Sequence, residues 1–188
     1  MCNNAERLGD IPPERVLMHP TPGTATEDDI FEDERRGHLV ELIEGTLVEK
    51  AMGYEESSLT LWLASFLTPF VRANRLGVTA GADGTMRLFP GLVRIHDISF
   101  VSRARLPGRD EHKRPIPSLA PGLAVEVLSN RNSKAEMARK LGEYFDAGAR
   151  LVWTPASRPS GSTPAPTSPR CGPSAIPWTA AKCCPASS

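Results

Sequence analysis

The chain has 188 residues, a formal net charge of zero and 40% hydrophobic side chains, which suits one domain with a substantial core. No apolar run approaches the roughly 20 residues of a membrane span. The opening Met1-Cys2-Asn3-Asn4-Ala5-Glu6-Arg7 lacks the basic-then-apolar order of a secretory signal, so a cytoplasmic location is expected. Residues 154–188 hold Arg158, Arg170 and Lys182 and no acid, which leaves 19 basic and 22 acidic residues, net −3, in residues 1–153. That balance excludes the footprint of tight, non-specific nucleic-acid binding.

In chain order, residues 1–25 are polar and proline-bearing, and weak order is expected there. Thr26-Glu27-Asp28-Asp29 reads as a helix start, a hydroxyl cap followed by acids at the positive end of the dipole. Residues 39–43 and 46–50 flank Glu44-Gly45 as the arms of a tight hairpin. Residues 55–74 carry Leu59, Trp62, Leu63, Phe66, Leu67, Phe70 and Val71 at helical spacing, a stripe expected to face the core, with Gly77 closing the helix. Strands are expected at 78–80, 85–89 and 93–102, with a Pro90-Gly91 turn before the last. Residues 103–121 form a long loop rich in proline and charge.

Leu123-Ala124-Val125-Glu126-Val127-Leu128 is apolar without alternation, as in a strand buried on both faces, except for Glu126. A helix over 133–147 follows, with Met137, Leu141, Tyr144 and Phe145 inward, Lys140 at the edge of that stripe and Gly148 as the cap. A short strand over 150–153 ends the patterned region. Mixed strands with helices on either side indicate an α/β sandwich.

The cysteines, Cys2, Cys171, Cys183 and Cys184, form neither a disulfide framework nor a zinc knuckle. His19, His38, His96 and His112 are scattered and read as surface or loop residues rather than ligands. Glu126 is the anomaly, because a lone buried charge costs several kcal/mol or more unless paired or bound to a cation. In Val93-Arg94-Ile95-His96-Asp97-Ile98-Ser99-Phe100-Val101, alternation puts Asp97 on one face with Ile95 and Ser99 and supplies a second carboxylate. Two such acids on neighbouring strands suit Mg²⁺, completed by water and a substrate phosphate, with Lys140 steadying charge at phosphorus. The same residues also read as a structural Glu126–Lys140 ion pair, or as a lysine whose ammonium reaches water.

Four blocks resemble the Uma-type restriction endonuclease family of the PD-(D/E)XK nuclease superfamily. They are Glu41-Leu42-Ile43-Glu44-Gly45-Thr46-Leu47-Val48-Glu49, His96-Asp97-Ile98-Ser99-Phe100-Val101, Leu123-Ala124-Val125-Glu126-Val127-Leu128-Ser129, and Lys140-Leu141-Gly142-Glu143-Tyr144-Phe145-Asp146-Ala147-Gly148-Ala149-Arg150-Leu151-Val152-Trp153. They occur in the expected order over residues 22–153. The resemblance implies a restriction-endonuclease-like mixed sheet flanked by helices. It also implies DNA as substrate, Mg²⁺ or Mn²⁺ as cofactor, and phosphodiester hydrolysis, in an enzyme class that often works as a homodimer. Asp97 and Glu126 would hold the metal. Lys140 would stand for the catalytic lysine, moved from strand to helix because Leu128 occupies the usual position. Glu41 would be the additional acid, in preference to Glu44, which suits a plain turn. His96 stands where the family has proline, and Glu55-Glu56-Ser57 lacks a histidine often found there. Both departures leave open an inactive relic or a nucleic-acid-associated binding module on the same fold.

After Trp153 the pattern stops: residues 154–188 contain eight prolines and seven serines, the composition of a disordered tail. Thr-Val-Arg-Val-Tyr in GC-rich codons, read one base late, becomes Pro159-Ser160-Gly161-Ser162-Thr163. Leu-Asp-Gly-Gly-Glu-Val-Leu-Pro-Gly-Phe becomes Trp178-Thr179-Ala180-Ala181-Lys182-Cys183-Cys184-Pro185-Ala186-Ser187 in the same way. The expectation is a reading-frame slip that replaces the last strands of the sheet. The resulting organisation is a weakly ordered 1–25, a nuclease-like domain over 26–153 and a tail over 154–188.

Overall fold

The computed structural model describes residues 8–35, 37–106, 113–156 and 170–171. Its described elements are α1 (Glu27–Arg35), β1 (Val40–Ile43), β2 (Thr46–Glu49), α2 (Tyr54–Ala73), β3 (Gly77–Ala80), β4 (Thr85–Phe89), β5 (Leu92–Ile95), β6 (Ile98–Ser102), β7 (Leu123–Val125), α3 (Lys134–Asp146), β8 (Leu151–Trp153) and β9 (Arg170–Cys171). They build two sheets, β2-β1-β5-β4 and β3-β6-β7-β8-β9. Every pair is antiparallel except β7 with β8, which α3 connects. The expected mixed α/β architecture is present.

Local chemistry explains the punctuation. Thr26 opens α1, its N–H and Oγ1 both donating to Asp29 Oδ2 at 2.7 and 2.9 Å. Glu44 and Gly45 both have positive φ, 48° and 72°, the signature of a two-residue hairpin turn that matches strand twist. Ser133 caps α3 by accepting from the Glu136 N–H at 2.9 Å, and Gly148, at φ 96°, ends it. The core lies on both faces of the hairpin. Ile30, Val40, Leu42 and Val93 cluster on one face, and Leu8, Ile11, Ile43 and Val48 on the other. A third cluster, Ala124, Tyr144, Ala149 and Val152, fastens α3 to β7 and β8.

Several expectations are corrected. Residues 8–25 are packed: Leu8, Ile11, Arg15 and Ala25 are buried, and Val16 forms a bridge with Val48 on the outer edge of the hairpin. The strand expected over 93–102 is two strands in different sheets, because the chain crosses between them at His96 and Asp97. Gly77 does not close α2. Arg75, at φ 53°, takes the left-handed position, while the Arg75 and Leu76 N–H groups donate to Arg72 and Val71 carbonyls at 3.1 and 3.0 Å. Gly77 instead lets β3 approach β6, since a Cβ there would lie 2.0 Å from the Val101 carbonyl oxygen. The α2 stripe is only partly core: Val71 is buried and Leu59, Leu63 and Leu67 are half-buried, but Trp62, Phe66 and Phe70 are exposed, because α2 lies on the outer edge of the second sheet against β3. The loop after β6 contributes Ile116 and Leu119 to the interior. Within the tail, Arg170–Cys171 pairs with β8 as a two-residue strand, while 157–169 and 172–188, which hold the frame-slip segments, lie outside the described residues.

Candidate active site

Four elements converge on one buried cluster. Glu41 in β1 and Arg94 in β5 face each other across the first sheet, with Arg94 Nη1 donating to Glu41 Oε2 at 2.7 Å. The Ile95 N–H donates to Glu41 Oε1 at 3.1 Å, and Lys140 Nζ from α3 lies 3.0 Å from that same oxygen. Lys140 also reaches Glu126 Oε2 at 3.3 Å. The Tyr144 hydroxyl, one turn on along α3, donates to Glu126 Oε1. The sequence-predicted residues Glu41, Glu126 and Lys140 are therefore in direct contact.

Asp97 belongs to the same assembly through the strand ends. Its N–H donates to the Val125 carbonyl at 3.1 Å, and its Oδ2 accepts from the Val127 N–H at 2.5 Å. That side chain replaces a rung of the ladder where β6 stops pairing with β7. Glu126 consequently sits just beyond β7, not inside it, and is held by its N–H to the Trp153 carbonyl at 2.9 Å. Asp97 Oδ1 lies 2.9 Å from Lys50 Nζ, an ionic contact whose angles make no hydrogen bond. Lys50 also donates to the Ile95 carbonyl at 2.9 Å.

The cluster is dry. Glu41 is 0%, Asp97 3%, Glu126 4% and Lys140 2% exposed. This overturns the reading of Lys140 as an edge residue with its ammonium in water: Met137 and Tyr144 flank it on the buried side of α3. Burial alone would raise the pKa of Glu41, but the charges of Lys140 and Arg94 and the Ile95 N–H hold it well below the usual carboxylate range. Glu126 moves the other way. Burial raises it, Lys140 offsets part of that, and the Asp97 charge raises it further. For Lys140, burial acts downward, but Glu126 and Glu41 outweigh it and keep the ammonium charged above its ordinary range.

Sequence reasoning missed Lys50, Arg94 and Tyr144. Arg94 carried a signal, a charge in an otherwise apolar strand, as Glu126 did. Lys50 and Tyr144 carried none, since a strand-end lysine and an inward helical tyrosine are ordinary. His96, expected at the surface, is fully buried against Tyr144, ring centroids 4.7 Å apart, with neither ring nitrogen hydrogen-bonded. Burial, then the Lys50 and Lys140 charges, depress its pKa to about 3, so it is neutral. Glu44 stays in the turn, its carboxylate paired with Arg139 at 2.9 Å.

The donor set fits a hard divalent cation. Only carboxylate oxygens are offered, and Asp97 Oδ1 is a buried oxygen with no hydrogen-bond donor. Among the described residues no group of three or more acid, histidine or cysteine side chains forms a ready cage. Mg²⁺ keeps several waters and needs only one or two carboxylates besides substrate phosphate.

A family model described as "Putative restriction endonuclease" matches residues 27–159, and the chain belongs to that family, Uma2. Among solved structures, the chain is similar to "a putative nuclease belonging to DUF820 from Anabaena variabilis ATCC 29413", with 21% identity and a TM-score of 0.55. That match covers 62% of this chain and 65% of the solved one, and it shows the fold. No curated protein matches the chain. Among the described residues no helix is long and apolar enough to cross a membrane.

Proposed function

We propose that this chain is a Mg²⁺-dependent DNA endonuclease, with Mn²⁺ able to substitute, that hydrolyses phosphodiester bonds at the Asp97–Glu126 cluster. The observation that supports the reading is the buried contact of Lys140 with both Glu41 and Glu126, with Asp97 accepting a hydrogen bond from the N–H of Val127, the residue next to Glu126. Asp97 and Glu126 would hold the metal. When bound, Mg²⁺ supplies neutralisation of phosphate charge and a more acidic water. Lys140, charged at any working pH, acts as an electrostatic stabiliser of the pentacovalent phosphorus and not as a proton acceptor. Glu41 is a positioning residue: clamped by Arg94 and the Ile95 N–H, it fixes the Lys140 ammonium between itself and Glu126. DNA is the substrate class the family suggests, and its sugar-phosphate charge must be met locally, because residues 1–153 are net negative.

A second reading, an inactive relic or a non-cleaving nucleic-acid binding module on the same fold, is favoured by one observation. Each site carboxylate already has an ammonium or guanidinium within 3.3 Å. Supercoiled-plasmid cleavage in Mg²⁺ and Mn²⁺, with metal binding followed by calorimetry, separates the two. The enzyme reading expects cleavage and metal binding in the parent, and loss of both in Asp97→Ala and Glu126→Ala. Cleavage that survives both substitutions would refute the site assignment. DNA affinity without cleavage in either metal selects the relic or binding module.

A further inference from the structure

Lys50 is a buried cation to which the proposed chemistry gives no part. It stands just past the end of β2, and its side chain is buried. Its Nζ lies 2.9 Å from Asp97 Oδ1, and it donates to the Ile95 carbonyl at 2.9 Å and the Ala82 carbonyl at 3.4 Å. One positive charge is thus surrounded by three oxygens: a carboxylate, a carbonyl at the end of β5 and a carbonyl of the β3–β4 loop. Carboxylate and main-chain carbonyl oxygens are also the donors that hard divalent cations select. The Asp97 carboxylate is divided between two tasks. Oδ2 accepts from the Val127 N–H at 2.5 Å, while Oδ1 receives no hydrogen bond and is held by charge alone. In Glu126, by contrast, Oε1 accepts from the Tyr144 hydroxyl and Oε2 from Lys140.

We propose that Lys50 competes with the divalent metal for Asp97: its ammonium holds Oδ1 and yields that place when a metal ion binds, so Lys50 sets the metal affinity of the site. The inference rests on the metal-dependent nuclease reading and adds to it a control on metal entry. An ammonium and a divalent ion sharing the same oxygens repel strongly in a site this dry, where little water screens them. Until a metal ion arrives, the ammonium spares Asp97 the penalty of an uncompensated buried charge. Lys50 is also the cation best placed to yield. Lys140 is pinned between Glu41 and Glu126, and Arg94 between Glu41 and Glu143, whereas Lys50 faces one carboxylate. Its flexible four-carbon stem lets the ammonium leave while the backbone stays, the Lys50 N–H bonded to the Leu39 carbonyl at 2.8 Å.

Calorimetric titration of Mn²⁺ into the full chain and into Lys50→Met, at one pH and ionic strength, tests it. Methionine keeps an unbranched stem and removes the charge. Lys50→Met should bind Mn²⁺ about tenfold or more tightly than the parent, because a competing and repelling charge is gone. Adding Asp97→Asn to Lys50→Met should abolish that gain. A Lys50→Met protein that binds Mn²⁺ no more tightly than a metal-binding parent overturns this proposal and leaves the nuclease reading standing. Absence of Mn²⁺ binding in both proteins overturns the two together. A second measurement uses the parent alone and stays decisive even if Lys50→Met does not fold. Acetic anhydride labelling, read by peptide mass spectrometry, reports how accessible each lysine amine is. Lys50 should be protected relative to the exposed Lys134, and saturating Mn²⁺ should raise its labelling several-fold while the buried Lys140 stays protected. Lys50 that remains protected with Mn²⁺ bound overturns the proposal, as does Mn²⁺ exposing Lys140 equally.

Discussion

Lys140 shows how one residue can be structural and chemical at once. Its ammonium touches Glu41 and Glu126, and removing it leaves the buried Glu126 without its cation and Glu41 with Arg94 alone. Lys140→Met should therefore cost about 3–5 kcal/mol, the usual penalty for breaking a buried pair from one side. A divalent cation binding Asp97 and Glu126 would replace the missing charge, so Mg²⁺ should raise the melting temperature of Lys140→Met more than that of the parent. Scanning fluorimetry with and without Mg²⁺ reads both effects, and an equal Mg²⁺ response in the two proteins would count against the metal site.

A second buried pair, remote in sequence, makes the pH dependence concrete. Arg15 donates to both oxygens of Glu136 at 2.8 Å, joining the N-terminal segment to α3. Burial would raise the Glu136 pKa, but the hydrogen bonds from Arg15 and the charges of Lys140 and Arg15 hold it below the usual carboxylate range. A group whose folded pKa is depressed contributes stability that is present above its unfolded pKa, near 4.5, and is lost as pH falls through the folded value. Glu136→Gln should thus lose about 3 kcal/mol or more at pH 7. The gap to the parent should close in acid, as the parent's own carboxylate protonates. Urea melts at pH 7 and pH 3.5 measure this.

At the scale of elements, the two glycine-like positions near the end of α2 predict opposite outcomes. Gly77→Ala drives a Cβ into the Val101 carbonyl oxygen and must push β3 off β6, costing about 2 kcal/mol or more. Arg75→Gly relieves a left-handed non-glycine residue at the helix end and should gain about 1 kcal/mol. Thermal denaturation of the two variants should bracket the parent. Were Gly77 the cap, Gly77→Ala would still destabilise, but Arg75→Gly would put a glycine inside the helix and cost stability, so the Arg75 variant is the direct check. Element types were readable from periodicity: α2 and α3, the hairpin, and β4 fell where expected. What periodicity could not tell is which side of a helix meets protein. The α2 stripe has the spacing of a core face, yet only packing partners decide whether a stripe is covered, and β3 is an edge strand. The break at His96 and Asp97 was equally hidden, because an apolar run looks the same whether it stays in one sheet or crosses between two.

At the scale of the whole molecule, charge sets the terms of any encounter with nucleic acid. With residues 1–153 at net −3, affinity for DNA without divalent cations should be weak, with a Kd of about 10⁻⁵ M or above at physiological salt and a shallow salt dependence. Fluorescence anisotropy on a labelled duplex checks this, and tight, steeply salt-dependent binding in EDTA would contradict it. The match of the family over 27–159 ends close to the point where composition turns to proline and serine. The family signal and the periodic hydrophobic signal stop together, as expected if both report the same folded domain.

By itself the sequence determined the α/β class and the order of the main elements. It singled out Asp97 and Glu126 as charges inside apolar runs, costly enough to stand out wherever they occur, with Lys140 as a candidate on the next helix and Glu41 proposed through the family resemblance. Only the tertiary structure decided that Lys140 meets both Glu41 and Glu126, that Asp97 bonds the backbone beside Glu126, that Lys50, Arg94 and Tyr144 complete their surroundings, and that Trp62 and Phe66 face outward. Those outcomes depend on which strands neighbour one another and which surfaces remain uncovered. Contacts between residues dozens of positions apart follow from the topology of the whole chain, and no local pattern contains them.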